Sequence, residues 1–405
     1  MTVKWMLFDL NSYFASCEQQ ENPSLRGKPV VVIPTLTDST SVIAASYEAK
    51  KFGIKTGTNV GEAKKMCPGL ILKQASHKLY TDYHHRIIKA VGEIIPVEKV
   101  LSIDEVACKL IGREQSIEAA EQIAKKLKAH VKRTVGSEIN SSIGLGPNIL
   151  IAKIASDMQK PDGLVIIPKE KILEKLGPLP IEVISGVGSQ MKHKLNLKGY
   201  FIVSDLLKVS EQELKKQWGS IIGLRIAREL NGEDLSWRPK TAQKSLSHQH
   251  VLPPDLRNFD SSYKIVLKLL MKAAFRLREE KIKTKSLAVY VKFLDGTRYE
   301  KIVSFQESNE TYFLANKLKD IWHLHKNKKP IKVAIVLGNL TEGFDQLSFF
   351  DNPEKARLDQ ALDSINSRFG KNTLFLANTA EVLSHAKTKI SFNHIPKSDD
   401  EFEDL

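Results

Sequence analysis

Only three cysteines occur in 405 residues, Cys17, Cys67 and Cys108, and no two of them form a CxxC pair. A disulfide framework and a structural zinc site are therefore not expected, and the usage fits a reducing cytoplasm. No uninterrupted apolar run approaches the length of about 20 residues that spans a membrane. The start, MTVKWMLFDLN, is apolar but short and broken by Asp9, so it reads as a strand and not as a signal peptide. Acidic residues are in deficit: 47 Asp plus Glu face 61 Lys plus Arg, a formal net charge of +14. An excess of that size points to an anionic partner, nucleic acid before others, although lysines spread over solvated helix faces would give the same total. At 405 residues the chain exceeds one ordinary core, so about two to four domains are expected.

Residues 3–9 alternate like a strand that ends at a carboxylate, and KPVVVI at 28–33 reads as a second strand. Helical material is expected from about 42 to 67, from 82 to 94 and over 116–136, where the lysines gather late and complement the helix dipole. INSSIGLG reads as a strand and NILIAKIASDM as a helix, which makes the first 165 residues an α+β sandwich. From about 166 to 232 the pattern turns to short helices punctuated by glycine, and EDLSWRPKTAQ reads as an exposed linker, placed at 233–242. A third unit over 243–341 carries a basic amphipathic helix (263–281), an alternating hairpin (286–302), a helix (309–324) and the strand IKVAIVL, a small α/β domain with one sheet face open. In the last stretch, NPEKARLDQALDSINSRFG is marked as a helix by Asn352, Pro353 and Gly370, with Leu358, Ala361, Leu362, Ile365 and Phe369 on one face. The end, KSDDEFEDL, is acidic and expected to be disordered.

The stretch KVLSIDEVACKL, 99–110, reads as a buried hairpin yet carries Asp104 and Glu105 side by side. Adjacent carboxylates repel, and in a regular strand they point to opposite faces, so one of them would meet apolar packing. Either the turn is acidic and wet, or a divalent cation neutralises both groups. Asp9 ends a strand in the same proposed domain and could join them. Three converging carboxylates in a basic protein suggest two Mg²⁺ ions on a phosphate-bearing substrate, in phosphodiester hydrolysis or nucleotidyl transfer.

The segments FDLNSYFASCEQQENPSLRGKPVVV, SYEAKKFGIKTG, LSIDE, ASDMQKPDGL and ISGVG occur in the order and spacing of the Y-family, translesion DNA polymerases, and the chain resembles that family from residue 1 to about 370. The resemblance implies an α+β multidomain fold shaped like a right hand. The palm would be 1–17 and 78–165, the fingers 18–77, the thumb 166–232 and the little finger 243–341, followed by a tail over 342–405. It also implies a DNA-directed DNA polymerase that uses two Mg²⁺ ions, tolerates damaged templates, has low processivity and lacks proofreading.

By the same resemblance, Asp9, Asp104 and Glu105 are the metal-binding and catalytic carboxylates, and the carbonyl of Leu10 adds a ligand. Phe14 is the steric gate, a ring packed where a ribose 2′-OH would project. Tyr47 and Lys50 in SYEAKK hold the incoming triphosphate together with Lys160. Lys50 stands where the family often has Arg, which keeps the attraction but loses the bidentate fork. Asn11 replaces an acid found in many relatives of the DNA polymerase IV type, and DLNSYFASCE is closer there to the SOS-mutagenesis branch. Gly186 and Gly188 resemble a helix-hairpin-helix that offers N–H groups to a DNA phosphate. Lys264, Lys268, Lys272, Arg276 and Lys292 are candidates for further backbone contacts. DQLSFF resembles a sliding-clamp motif, with Gln346, Leu347 and Phe350 as the inserting residues.

The expected partners are primer-template DNA, a deoxynucleotide and a sliding clamp, with no membrane, a monomeric state and a cytoplasmic location. Two rivals remain at this level: a catalytically silent DNA- and clamp-binding accessory protein, and a metal nuclease using the same acids.

Overall fold

The computed structural model describes residues 1–235, 243–323, 327–342, 353–370 and 372–386. They divide into two compact units with the break near residue 240. No described helix is long and apolar enough to cross a membrane.

The first unit opens with β1 (Trp5–Leu10) and α1 (Tyr13–Glu21), followed by β2 (Val30–Ile33), β3 (Ala44–Ala45), α2 (Tyr47–Lys50), α3 (Val60–Met66) and β4 (Ile71–Gln74). The expectation of continuous helix over 42–67 is thus corrected. Gly53 and Gly57 take positive φ, which no helix accepts, and the chain turns there. Strands β2, β3 and β4 form a small sheet in the order β3-β2-β4.

The main sheet follows. Helix α4 (His77–Gly92) leads to β5 (Lys99–Val100) and β6 (Glu105–Lys109). Then come α5 (Ile117–Thr134), β7 (Ser141–Gly146), α6 (Ile149–Met158) and β8 (Leu164–Ile166). The strand order β5-β6-β1-β7-β8 makes β1 central, and all six of its residues are buried. Period-two alternation sends Met6, Phe8 and Leu10 into the large core that also takes in residues of α4 and α5. Trp5 and Leu7 instead join Ala107 and Ala152 on the other face, under α6. Asp9 continues that second row. Helix α6 lies very close to the sheet at Gly144, where an added Cβ would sit 1.9 Å from the Ala152 carbonyl oxygen. The hairpin over 97–111 is shorter and wetter than its sequence suggests. Val100 and Leu101 are exposed because β5 is a two-residue edge strand.

Five short helices complete this unit: α7 (Ile172–Leu176), α8 (Ser189–Asn196), α9 (Val203–Leu207), α10 (Glu211–Trp218) and α11 (Ile221–Leu230). They share a core with Ile151, Ile154 and Ala155 of α6. Asn148 joins the two parts. Its Oδ1 caps α6 by accepting from the Ile151 amide at 2.9 Å, and its Nδ2 donates to the carbonyls of Glu229 and Glu233 at 2.7 and 2.8 Å.

The second unit contains β9 (Ser245–Val251), α12 (Phe259–Glu279), β10 (Ile282–Phe293), β11 (Arg298–Ser308), α13 (Thr311–Ile321), β12 (Pro330–Gly338), β13 (Thr341–Glu342) and α14 (Pro353–Phe369). Its four-stranded path is β11-β10-β12-β9, and every pair in it is antiparallel. Strand β9 was not singled out by periodicity because His248 and His250 stand where apolar residues would mark its inner side. Leu287, Val289, Val291 and Phe293 meet apolar residues of α12 and α13 on one face of the sheet. In α14 the expected apolar stripe is not a buried one: Leu358, Ala361 and Phe369 are exposed. The helix is held instead through polar groups, since Arg278 of α12 reaches Asp363 at 2.6 Å and Asp359 at 3.3 Å. Asn352 lies outside the described residues; Gly370 has the positive φ expected of a helix stop.

Candidate active site

Strand register assembles the carboxylates. Asp9 of β1 is paired with Glu105 of β6, so both project from the same face, toward α6. Asp104 still lies in the bend before β6, and its carbonyl accepts from the Leu10 amide at 2.9 Å. The two adjacent acids therefore do not alternate as they would within a strand. Ser102 donates its hydroxyl to Asp104 at 2.6 Å, and His84 Nδ1 lies 2.7 Å from the Ile103 carbonyl beneath the turn.

The cluster already holds cations. Lys153 Nζ lies 2.5 Å from Asp9 Oδ2, 2.7 Å from Glu105 Oε1 and 3.2 Å from Asp157 Oδ2. Lys160 Nζ lies 2.7 Å from Asp9 Oδ1 and 2.7 Å from Asp157 Oδ1. Burial raises the pKa of Asp104, helped by the charge of Asp9 and opposed by the Ser102 hydrogen bond. Burial also raises Glu105, against the pull of Lys153. Burial works against the Lys153 ammonium too, but Asp9 and Glu105 outweigh it and hold its pKa above the ordinary lysine value. Lys153 and Asp157 were missed in the sequence, where NILIAKIASDM reads only as a helix. The available signal was the i,i+4 spacing of Lys153 and Asp157, which puts them on one side of the helix.

Asn11 is buried and ties the site together. Its Oδ1 accepts from the Asp162 amide at 2.8 Å, and its Nδ2 donates to Ser142 Oγ at 3.1 Å. The loop that follows Lys160 is thereby fastened to β1 and β7.

Lys50 sits over the Tyr47 ring, 4.3 Å from its centroid. Burial and the charge of Lys160 lower the Lys50 pKa, while Asp9 opposes them. Tyr47 is raised by burial and feels Lys160 and Asp9 as well. The two α2 residues thus share an electrostatic neighbourhood with Asp9 and Lys160. Phe14 is half-buried against Tyr80, and Tyr80 donates its hydroxyl to the buried carboxylate of Glu18 at 2.8 Å.

Among the described residues no group of three or more His, Cys, Asp or Glu side chains is set to hold a metal ion as it stands. The donor chemistry nonetheless suits a hard dication. Asp9 and Glu105 meet on one lysine ammonium that stands in as the counter-cation, the charge of Asp9 is felt at Asp104, and Asp104 and Glu105 have raised pKa values.

The nucleic-acid candidates separate. Gly186 has φ +97°, which requires glycine, and Gly188 precedes the first residue of α8; a Cβ at either would meet open space. Neither glycine is thus needed for close approach within the protein. The lysines of α12 need a correction. Lys264 pairs with Glu381 at 2.6 Å, Lys268 is buried and donates to the carbonyls of Leu383 and His385, and Lys272 donates to the Ala386 carbonyl. The chain's own segment 377–386 covers that face, with Val382 and Ala386 in the core. Arg276 pairs with Glu280 at 2.6 Å. Lys292 differs: it lies on the sheet face away from α12, exposed, between its register partners Arg298 and Lys332. Gln346, Leu347 and Phe350 lie outside the described residues.

Two family models match this chain, "impB/mucB/samB family" over residues 8–157 and "impB/mucB/samB family C-terminal domain" over 243–349. The protein named DNA polymerase IV of Pelotomaculum thermopropionicum is 32% identical over 387 residues, covering 92% of this chain and 94% of its own length. That of Moorella thermoacetica is 31% identical over 386 residues, covering 92% and 95%. Among solved structures, a Y-family DNA polymerase chimera superposes with a TM-score of 0.67 at 24% identity, covering 83% of this chain and 98% of its own, a likeness of fold. The chain belongs to the impB/mucB/samB family of Y-family DNA polymerases.

Proposed function

We propose that this protein is a DNA-directed DNA polymerase of the translesion class, transferring a nucleotidyl group from a deoxynucleoside triphosphate to a primer 3′-OH. The observation that carries this reading is the pairing of Asp9 with Glu105, which brings these two acids, with Asp157, Lys153 and Lys160, to one end of the main sheet. In this reading 1–17 and 78–165 are the palm, 18–77 the fingers, 166–232 the thumb and 243–341 the little finger. Asp9, Asp104, Glu105 and the Leu10 carbonyl would hold Mg²⁺, which when bound activates the 3′-OH and offsets the charge on the triphosphate. Lys160, Lys50 and Tyr47 bind and orient the phosphates, while Phe14 lies under the sugar and excludes a 2′-OH.

The row Arg298, Lys292 and Lys332 favours the sheet of the second unit as a DNA contact. Like charges directly opposite one another on neighbouring strands are unfavourable unless an anion lies across them. Synthesis of low processivity and use of a clamp through Gln346, Leu347 and Phe350 belong to the same proposal.

The test is primer extension on undamaged and abasic templates with Mg²⁺, comparing wild type with Asp104→Ala plus Glu105→Ala. Extension by wild type alone supports the reading. Extension by neither, with DNA binding intact, favours the silent accessory protein. Cleavage of the DNA by wild type without extension favours the nuclease.

A further inference from the structure

The proposed metal carboxylates do not face one another bare: one lysine ammonium contacts both Asp9 and Glu105. Lys153 reaches the site from α6, its ammonium 2.5 Å from Asp9, 2.7 Å from Glu105 and 3.2 Å from Asp157, one helical turn along. Asp9 and Glu105 are largely enclosed, whereas 43% of the Asp157 side chain is exposed. A divalent ion on Asp9 and Glu105 would lie within a few ångströms of this ammonium, and two cations that close repel strongly. Lysine has a flexible four-carbon stem and a compact point charge. Asp157, already 3.2 Å from that charge and shared with Lys160 at 2.7 Å, offers it a second carboxylate on the same helix.

We propose that Lys153 is the resident counter-ion of this carboxylate cluster and passes from Asp9 and Glu105 to Asp157 when a divalent cation enters. The inference rests on the metal-site reading given above. Lys153 is a positioning residue here: it keeps the carboxylates gathered while no metal is present, at a cost in metal affinity. Asp157 lowers that cost. A lysine that only pins α6 to the sheet would affect stability and leave metal affinity alone or weaken it.

The experiment titrates the full-length protein with Mn²⁺, without DNA or nucleotide, following the free ion by electron paramagnetic resonance. Lys153→Met should tighten Mn²⁺ binding by about tenfold, a usual size for coupling between two sites. Lys153→Arg, which keeps the charge, should bind no more tightly than wild type. Asp157→Asn should weaken binding about threefold, and the effect should vanish in the Lys153→Met background, as coupling through Lys153 requires. Circular dichroism checks that each variant folds. Binding that is unchanged or weaker in folded Lys153→Met overturns the inference, as does no measurable binding by either wild type or Lys153→Met. Asp104→Asn plus Glu105→Gln separates the two levels. If wild-type Mn²⁺ binding survives that double change, the metal-site reading itself fails.

Discussion

The rings of Phe14 and Tyr80 lie one over the other, centroids 4.3 Å apart and 14° from parallel. The Tyr80 ring is itself fixed from two directions, by its hydroxyl on Glu18 and by its backbone carbonyl, which accepts from the Tyr13 hydroxyl at 2.6 Å. A ring held this firmly can act as a wall. Phe14→Ala should reduce discrimination against ribonucleotides by about 100-fold, a size typical of losing a shaped contact in a binding pocket. Single-nucleotide incorporation with matched dNTP and rNTP measures it. Unchanged discrimination removes Phe14 from that role.

Asn11 links three separate segments through buried and part-buried hydrogen bonds. Removing it takes the side-chain acceptor from the Asp162 amide and leaves the Ser142 hydroxyl only its contacts with Gln159 and Gly163. Asn11→Ala should destabilise the first unit by about 0.5–1.5 kcal/mol per lost hydrogen bond, the usual net worth of such a bond. Because Asp162 follows Lys160 so closely, the KM for dNTP should also rise. Thermal melting and steady-state extension kinetics read the two effects separately.

Lys268 and Lys292 should part company in DNA binding. The ammonium of Lys268 is spent on carbonyls of the 382–385 segment, so Lys268→Ala should lower stability by about 1–3 kcal/mol and leave the salt dependence of DNA affinity as it was. Replacing Lys292 and Lys332 together by Ala should flatten the slope of log K against log salt by about 2, close to one per lost phosphate contact. Fluorescence anisotropy over a salt series distinguishes the two patterns. A slope unaffected by the double change excludes the sheet face as a phosphate contact.

Asp104 makes the metal-free protein pH-sensitive in a definite direction. Its native pKa is raised above the ordinary aspartate value of 3.8, chiefly by burial. Ionising it therefore costs the folded state more than the unfolded one. That cost is fully present above the native pKa and fades as pH falls through the native pKa toward the unfolded value. In chelator at neutral pH, Asp104→Asn should melt at a higher temperature than wild type, and the gap should close as pH drops below 3.8. A lower melting temperature for the variant at neutral pH contradicts this.

By itself the sequence determined the parts whose signals are local. The helix expected over 116–136 runs Ile117–Thr134, the strand in INSSIGLG is Ser141–Gly146, and the Asp104–Glu105 pair stands at the mouth of a short hairpin. Periodicity and caps are written in neighbouring residues, and each backbone turn fixes where the next side chain points. Motif order likewise pointed to Asp9, Asp104 and Glu105 as one group.

Only the tertiary structure decided which charges meet. Lys153 is separated from Asp9 by 144 positions, and its own helix shows only the i,i+4 spacing to Asp157, not the contact with Asp9. The α12 lysines read as a DNA-binding face in the sequence, but the residue 117 positions downstream of Lys268 supplies a carbonyl to it. Tyr80 became part of the Phe14 wall only when α4 packed beside α1. A charge or a ring acquires its role from what lies within a few ångströms, and those neighbours are chosen by strand register and helix packing across the whole chain.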